Sequence, residues 1–390
     1  MPRIGISGSY GGLNLGDEAI LTSAIAQLRA TVPDVEIVVF SKNAEHTRAH
    51  HKADRVISPR ELLLEEIIPE IGRLDLLLLG GGGILYDTEA RTYLREVVIA
   101  HERGIPTFAF AIGIGRLNDP EERRAVRQGM NRMTGITVRE LSAKRLLEEI
   151  GVERPIMVTA DPAFLLTPEP FTDDMLRAAG VPLDVPLIGF SVRELGPAAP
   201  DLSEAAYHAL LAETADFMVH RYDAHVVFVP TERIDVREAH RVVGQMATPE
   251  RAHILRFDYS PSQMLGLLSR FEMAVGMRLH FLIFAALAGV PLMALPYASK
   301  VTDLLEALGL PKRPAAHEQY AGAFLADVDR LWDNRATQRT LVRTRTPHLQ
   351  ERARQNVPLA LATIREKGRA HPADLLPNAK LGHAGAGASA

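Results

Sequence analysis

Apolar and polar positions along this chain change period repeatedly, from short continuous apolar runs to helical spacing and back. Residues 3–9 form a first apolar run, which stops at the turn GSYGGLNLG; Ala19, Ile20, Ala24, Ile25 and Leu28 then recur at helical spacing, and a second run covers 35–40. This pattern predicts strand, helix (16–30) and strand, a β-α-β unit opened by a glycine-rich turn. Residues 74–79 are apolar throughout and run into Gly80-Gly81-Gly82-Gly83. A run with no polar face suits the middle of a parallel sheet. Helices over 89–103, 120–132 and 142–150 alternate with strands over 106–112, 136–138 and 156–159. Regular alternation predicts a doubly wound α/β domain over residues 1–168.

A proline-rich stretch, 169–186, reads as a linker. Alternation then restarts over 187–320. Strands are expected at 187–192, 225–229 and 253–257, and helices at 203–221, 235–246 and 262–268. The stretch EMAVGMRLHFLIFAALAGVPLMALPYASK closes this half. It reads as strand, tight turn at Gly276, helix from residue 278 or 279 to 288, and a second strand after Pro291. Helices over 321–332 and 338–367 follow, the second Arg-rich and expected to be largely solvated against the domain edge. The tail, 371–390, is rich in Gly, Ala and Pro and is predicted disordered. Two α/β halves of similar size suggest two domains facing a cleft, where small-molecule sites concentrate.

Composition narrows the chemistry. The 390 residues carry a net charge of −4, with no basic face suited to nucleic acid. The absence of cysteine excludes disulfides, thiolate metal ligands and cysteine nucleophiles. The fourteen histidines form no H-E-x-x-H or H-x-H cluster, so no metal is expected. No apolar run reaches the length of a membrane span, and the amino terminus lacks a signal-peptide layout. The expected location is the cytoplasm, with at most loose association at the inner face of the membrane. Oligomeric state is not set by the sequence.

The candidate chemistry lies at strand ends. Arg278 and His280 fall where a strand's carboxyl end meets a helix amino end. Ligands bind there in open α/β sheets, and the free N–H groups favour an anion. Arg139-Glu140 and Arg193-Glu194 follow two other strands, as anion ligands or as structural ion pairs. The first loop spaces its glycines G-x-x-G-G-x-x-x-G, which is neither the dinucleotide fingerprint nor a P-loop. Asp17 and Glu18 open the following helix, where acids favour the helix dipole. Two carboxylates there would repel a phosphate, so hydroxyl binding or proton transfer suits the loop better. The four-glycine run implies a close approach of backbone to ligand or to another segment.

The blocks GSYGGLNLGDEAIL, LLLLGGGGILYD, AIGIG, ITVRE, VTADPAF, FSVRE, VVFVP and VGMRLHFLIFAALAGVP, with Lys300 beyond, together resemble the polysaccharide pyruvyltransferase family, most closely its CsaB-like branch. The resemblance spans about residues 4–310. It implies a GT-B-like fold of two Rossmann-type domains with C-terminal helices. It implies transfer of pyruvate from phosphoenolpyruvate (PEP) onto two hydroxyls of a sugar in a surface polysaccharide or its lipid-linked precursor. A ketal forms and phosphate leaves; PEP is a co-substrate and no cofactor is needed. By motif match Arg278, Leu279 and His280 bind PEP, with Arg193 and Lys300 beside them. Arg139, Asp17 and Glu18 also match family positions. In this reading His280 supplies a proton and Asp17, Glu18 or Glu232 takes the hydroxyl protons. Asn14, Asp17, Gly81, Gly82, Arg139 and Glu232 face the acceptor or the cleft. Two departures bear on the acceptor and the last helices. Tyr86-Asp87 stands where Gln-Asp is more familiar, and Tyr297-Ala298-Ser299-Lys300 where CsaB-like chains carry Tyr-Asp-Pro-Lys. The competing readings are a nucleotide-sugar glycosyltransferase and a non-catalytic glycan-binding protein on the same fold.

Overall fold

A computed structural model describes residues 1–12, 14–195, 203–296, 298–312 and 321–365. The first half alternates as β1 (Arg3–Ser7), α1 (Leu15–Thr31), β2 (Glu36–Phe40), α2 (Ala44–His50), β3 (Arg55–Ile57), α3 (Leu64–Gly72), β4 (Leu76–Gly80), α4 (Ala90–Glu102), β5 (Thr107–Ile112), α5 (Pro120–Arg132), β6 (Gly135–Val138), α6 (Leu141–Glu149) and β7 (Ile156–Val158). After α7 (Asp173–Ala178) the second half runs β8 (Leu187–Ser191), α8 (Glu204–Tyr222), β9 (His225–Phe228), α9 (Arg233–Val243), β10 (Ala252–Ile254), α10 (Pro261–Leu268), β11 (Met273–Gly276), α11 (Leu279–Leu287), β12 (Leu292–Ala294) and α12 (Ser299–Ala307). Three helices close the described chain: α13 (Ala321–Asp333), α14 (Arg335–Arg354) and α15 (Asn356–Arg365).

The described strands pair in parallel as a seven-stranded sheet, β3-β2-β1-β4-β5-β6-β7, and a five-stranded sheet, β10-β9-β8-β11-β12. Every residue of β4 and β8 is buried, which explains their unbroken apolar runs. Strand order reverses between β1 and β4 in the first sheet and between β8 and β11 in the second. These are switch points, where diverging loops leave a crevice at the strands' carboxyl ends.

Two expectations change. The stretch read as a linker holds α7, capped by Thr172, and buries Phe171, Leu176 and Val181 in the same core as α11. It is part of the second domain's packing. The last Arg-rich helix is two helices: it breaks at Gln355, α14 keeps a solvated outer face and buries Val342, Leu349 and Ala353, and α15 puts Val357 and Ala360 into the first domain's core. The chain thus crosses back to the domain where it began. Elements α2, β3 and α3 are too short for their periodicity to be read from sequence. The predicted disordered tail lies outside the described residues. Among the described residues no helix is long and apolar enough to cross a membrane.

Candidate functional site

The two switch points face each other across a cavity of about 480 Å³. From the first domain it is lined by Asn14, Asp17, Gly83, Tyr86 and Arg139; from the second, by Arg193, Glu232, Arg278, Leu279, His280 and Lys300. Arg139, Leu279 and Lys300 also border a neighbouring cavity of about 420 Å³ between the domains.

The amino end of α1 is fixed first. Asn14 stays extended and its side-chain oxygen accepts from Gly16 N at 2.7 Å, a helix cap. Its amide donates across the cleft to Glu232 Oε1 at 2.6 Å, and Leu15 N donates to Thr231 O at 2.9 Å. Asp17, buried in the first turn, has its pKa driven up by burial to about 7; Arg139 opposes the rise, Glu18 and Glu232 add to it, and Lys300 pulls against it. Asp17 therefore exchanges its proton near neutrality, and it borders the cavity. Glu18 does not border it. One Glu18 oxygen accepts from Gly11 N and Gly12 N, both at 2.9 Å, and the other meets His51 Nε2 at 2.6 Å. Burial raises its pKa, but His51 and the two amides outweigh that and hold it below the ordinary value. Glu18 is a strut under the loop, which corrects its expected catalytic role.

The glycine run serves α1 more than a ligand. Gly81 and Gly82 sit at φ +68° and +76°, and a Cβ at residue 82 would stand 2.4 Å from Asp17 Oδ1. At residue 81 it would strike Ile20 at 2.3 Å. The close approach is to another segment; among the four, Gly83 borders the cavity.

Arg139 is buried and stays cationic: its Nε donates to Glu140 at 2.8 Å and Nη1 to Asp161 Oδ2 at 2.7 Å. Despite burial, Arg139 and His280 hold the Asp161 carboxyl well below the usual carboxylate range. The same Asp161 oxygen lies 3.4 Å from His280 Nε2. Burial lowers the His280 pKa, with Asp161 opposing, so the imidazole is neutral at neutral pH. Asp17 and His280 both border the cavity, and the raised Asp17 carboxyl lies nearer neutrality. In the second domain, Arg278 caps α11 with its guanidinium between Asp235 and Glu232. Arg193 reaches the cavity from the end of β8, its carbonyl accepting from Tyr207 Oη at 2.7 Å and its Nε donating to Glu194 O at 3.0 Å. Lys300 enters from the first turn of α12, and Leu279 opens α11.

A family model for polysaccharide pyruvyl transferase matches residues 14–299, from the cap of α1 to the start of α12. The chain belongs to this family. A search of curated proteins finds no significant match. Among solved structures, UDP-GlcNAc 2-epimerase from Neisseria meningitidis bound to UDP-GlcNAc aligns at TM-score 0.62 and 13% identity over 93% of this chain and 100% of that one. UDP-GlcNAc 2-epimerase from Methanocaldococcus jannaschii aligns at 0.63 and 13% over 93% and 99%. The E. coli ADP-heptose LPS heptosyltransferase II aligns at 0.51 and 15% over 86% and 99%. At these identities the likeness is one of fold, and the fold is GT-B-like.

For this pyruvyl transferase, Arg193, Arg278, Leu279, His280 and Lys300 of the second domain line one cavity with Asp17 and Arg139 of the first. Sequence reasoning missed Asp161 as a member of the site. Its signal is the pair Asp161-Pro162 directly after a strand: the carboxylate caps the 3-10 turn Pro162–Leu165, and its second oxygen ties Arg139 to His280. Asp235 was also missed; it stands three residues after Glu232, the spacing of a capping pair, and accepts from Glu232 N at 3.0 Å.

Proposed function

We propose that this transferase moves pyruvate from phosphoenolpyruvate onto two hydroxyls of a sugar in a surface polysaccharide or its lipid-linked precursor, on the cytoplasmic side. The observation that carries this reading is a titratable carboxyl, Asp17, facing the cations Arg193, Arg278 and Lys300 across one cavity. A donor bearing a carboxylate and a phosphate needs the cations, and an incoming hydroxyl needs the acid–base group.

In the proposed reaction, protonated Asp17 gives its proton to the methylene carbon of PEP, leaving positive charge at the adjacent carbon. One sugar hydroxyl bonds to that carbon and returns a proton to Asp17. The carbon–phosphate oxygen bond breaks, and the second hydroxyl closes the ketal. Its proton leaves with the phosphate, so one hydroxyl proton ends on the new methyl group and one on phosphate. Arg193 and Lys300 hold the phosphate through departure. Neutral His280, fixed beside Asp161, borders the cavity next to Arg278 and packs beside the donor.

The test is a thermal-shift titration with PEP beside UDP- and GDP-sugars, followed by phosphate release from PEP in the presence of candidate glycans. A ligand that binds the folded state raises the melting temperature as it exceeds its dissociation constant. The expected result is a shift with PEP, and glycan-dependent phosphate release in which the glycan gains one pyruvate less water. A shift with a nucleotide sugar alone would replace this reading with glycosyl transfer.

A further inference from the structure

Arg278 offers two edges, and carboxylates of different character fill them. The Nε edge faces Asp235, with both carboxylate oxygens 3.1 Å from Nε. Asp235 is 1% exposed, accepts from the backbone N–H groups of Thr231 and Glu232 at 3.0 Å each, and does not border the cavity. It is a permanent counter-charge. The outer edge faces Glu232, with Nη1 to Oε1 at 2.7 Å and Nη2 to Oε2 at 2.9 Å. This is the parallel two-bond pairing that a guanidinium makes with a carboxylate. The Glu232 side chain is 27% exposed, and it borders the cavity together with Arg278.

A donor anion entering this cavity meets Glu232 on the edge of Arg278 that faces it. Both negative groups cannot hold that edge. An empty site without Glu232 would instead leave the buried Arg278 with less counter-charge, which is costly. We propose that Glu232 is a placeholder for the donor's carboxylate: the donor takes the outer edge of Arg278, and Glu232 swings aside while tethered to Asn14. The exchange replaces one carboxylate on the outer edge of Arg278 with another. A planar carboxylate superimposes on the place Glu232 vacates. A tetrahedral phosphate carries oxygens out of that plane, and Arg193 and Lys300 on the same cavity wall serve it. Glu232 is thus a positioning residue that selects donors carrying a carboxylate. The inference rests on PEP as donor.

Calorimetric titration of the wild type and Glu232→Gln with PEP and, separately, inorganic phosphate tests it. Glutamine keeps the length and the Asn14 contact but gives up the charge on Arg278. PEP should tighten about tenfold, the scale of one charge-assisted hydrogen bond, while phosphate changes by less than about threefold. The KM for PEP should fall in parallel. Glu232→Asp keeps a charge at the start of α9 but is too short to bridge both Nη atoms, so it should tighten PEP by a smaller factor at unchanged melting temperature. Wild-type binding of PEP with no tightening in Glu232→Gln overturns the exchange, as does equal tightening of PEP and phosphate. PEP binding to neither protein overturns the donor reading itself, and the exchange with it.

Discussion

The imidazole of His280 lies against the bare backbone of Gly16: a Cβ at residue 16 would stand 1.7 Å from Nδ1 and 2.2 Å from Cγ. Glycine in the first turn of α1 is thus a docking surface, where a ring from the second domain rests on the helix end of the first. Gly16→Ala should force the buried ring aside and cost about 1–3 kcal/mol, with loss of activity. Removing the ring should relieve the clash. Gly16→Ala/His280→Ala should then be more stable than the sum of the single changes allows, by at least about 1 kcal/mol. Urea unfolding of the four proteins measures that coupling. Additive single effects would mean the ring and the helix end do not meet in solution.

Asp17 makes a prediction with opposite signs for stability and activity. Its carboxyl is raised by burial from 3.8 to about 7, so the native state binds a proton that the unfolded chain releases. Its contribution is therefore full below the ordinary value and is lost as pH rises through about 7, worth a few kcal/mol in all. Asp17→Asn removes this loss. The variant should melt above the wild type at pH 8 and close to it at pH 4. Turnover should fall about a hundredfold or more, because no group remains to give and take the proton. The wild-type rate should decline above pH 7, and the residual activity of the variant should lack that limb. Melting curves at the two pH values, with a pH–rate profile, check both signs.

The general plan was legible because each strand and helix declares its period locally. The apolar run 74–79 became the buried β4, and the glycine after residue 275 marked the turn that delivers Arg278 and His280. Partnership was not legible. Asp17 and Glu18 are neighbours with the same charge, yet one faces the cavity and the other holds Gly11, Gly12 and His51. Nothing in the two-residue string separates them; the direction of each side chain on α1 does. Arg278 was read as a fork awaiting a ligand, and the structure fills that fork with Glu232 and Asp235, 46 and 43 residues away in sequence. Long-range ion pairs leave no local pattern. The crossing of α15 was hidden for another reason: its apolar residues are plain in the sequence, but the core that takes them, built from residues between Ile4 and Phe110, lies about 250 to 350 residues earlier.

That crossing turns on Asn356, the first residue of α15 and fully buried. Its Oδ1 accepts from the hydroxyls of Thr137 and Thr159 at 2.9 and 2.7 Å, and its amide donates to the carbonyls of Ala160 and Ala353 at 3.1 and 3.0 Å. All its hydrogen-bonding capacity is used; Thr137, Thr159 and Ala160 lie on or next to the ends of β6 and β7, and Ala353 lies in the last turn of α14. Asn356→Leu would keep the approximate volume and strand those partners in the interior, at a cost of about 3 kcal/mol. Asn356→Asp should differ in its pH dependence. A buried carboxyl among these groups has a raised pKa, so that variant's stability should fall as pH rises from 5 to 8 while Asn356→Leu stays flat. Thr159 and Ala160 lead directly to Asp161, which ties Arg139 to His280, so both variants should also weaken donor binding without touching a donor ligand. Urea unfolding at the two pH values and donor titration of the folded variants measure this. Unchanged stability in Asn356→Leu would mean that α15 is not docked on the first domain as described.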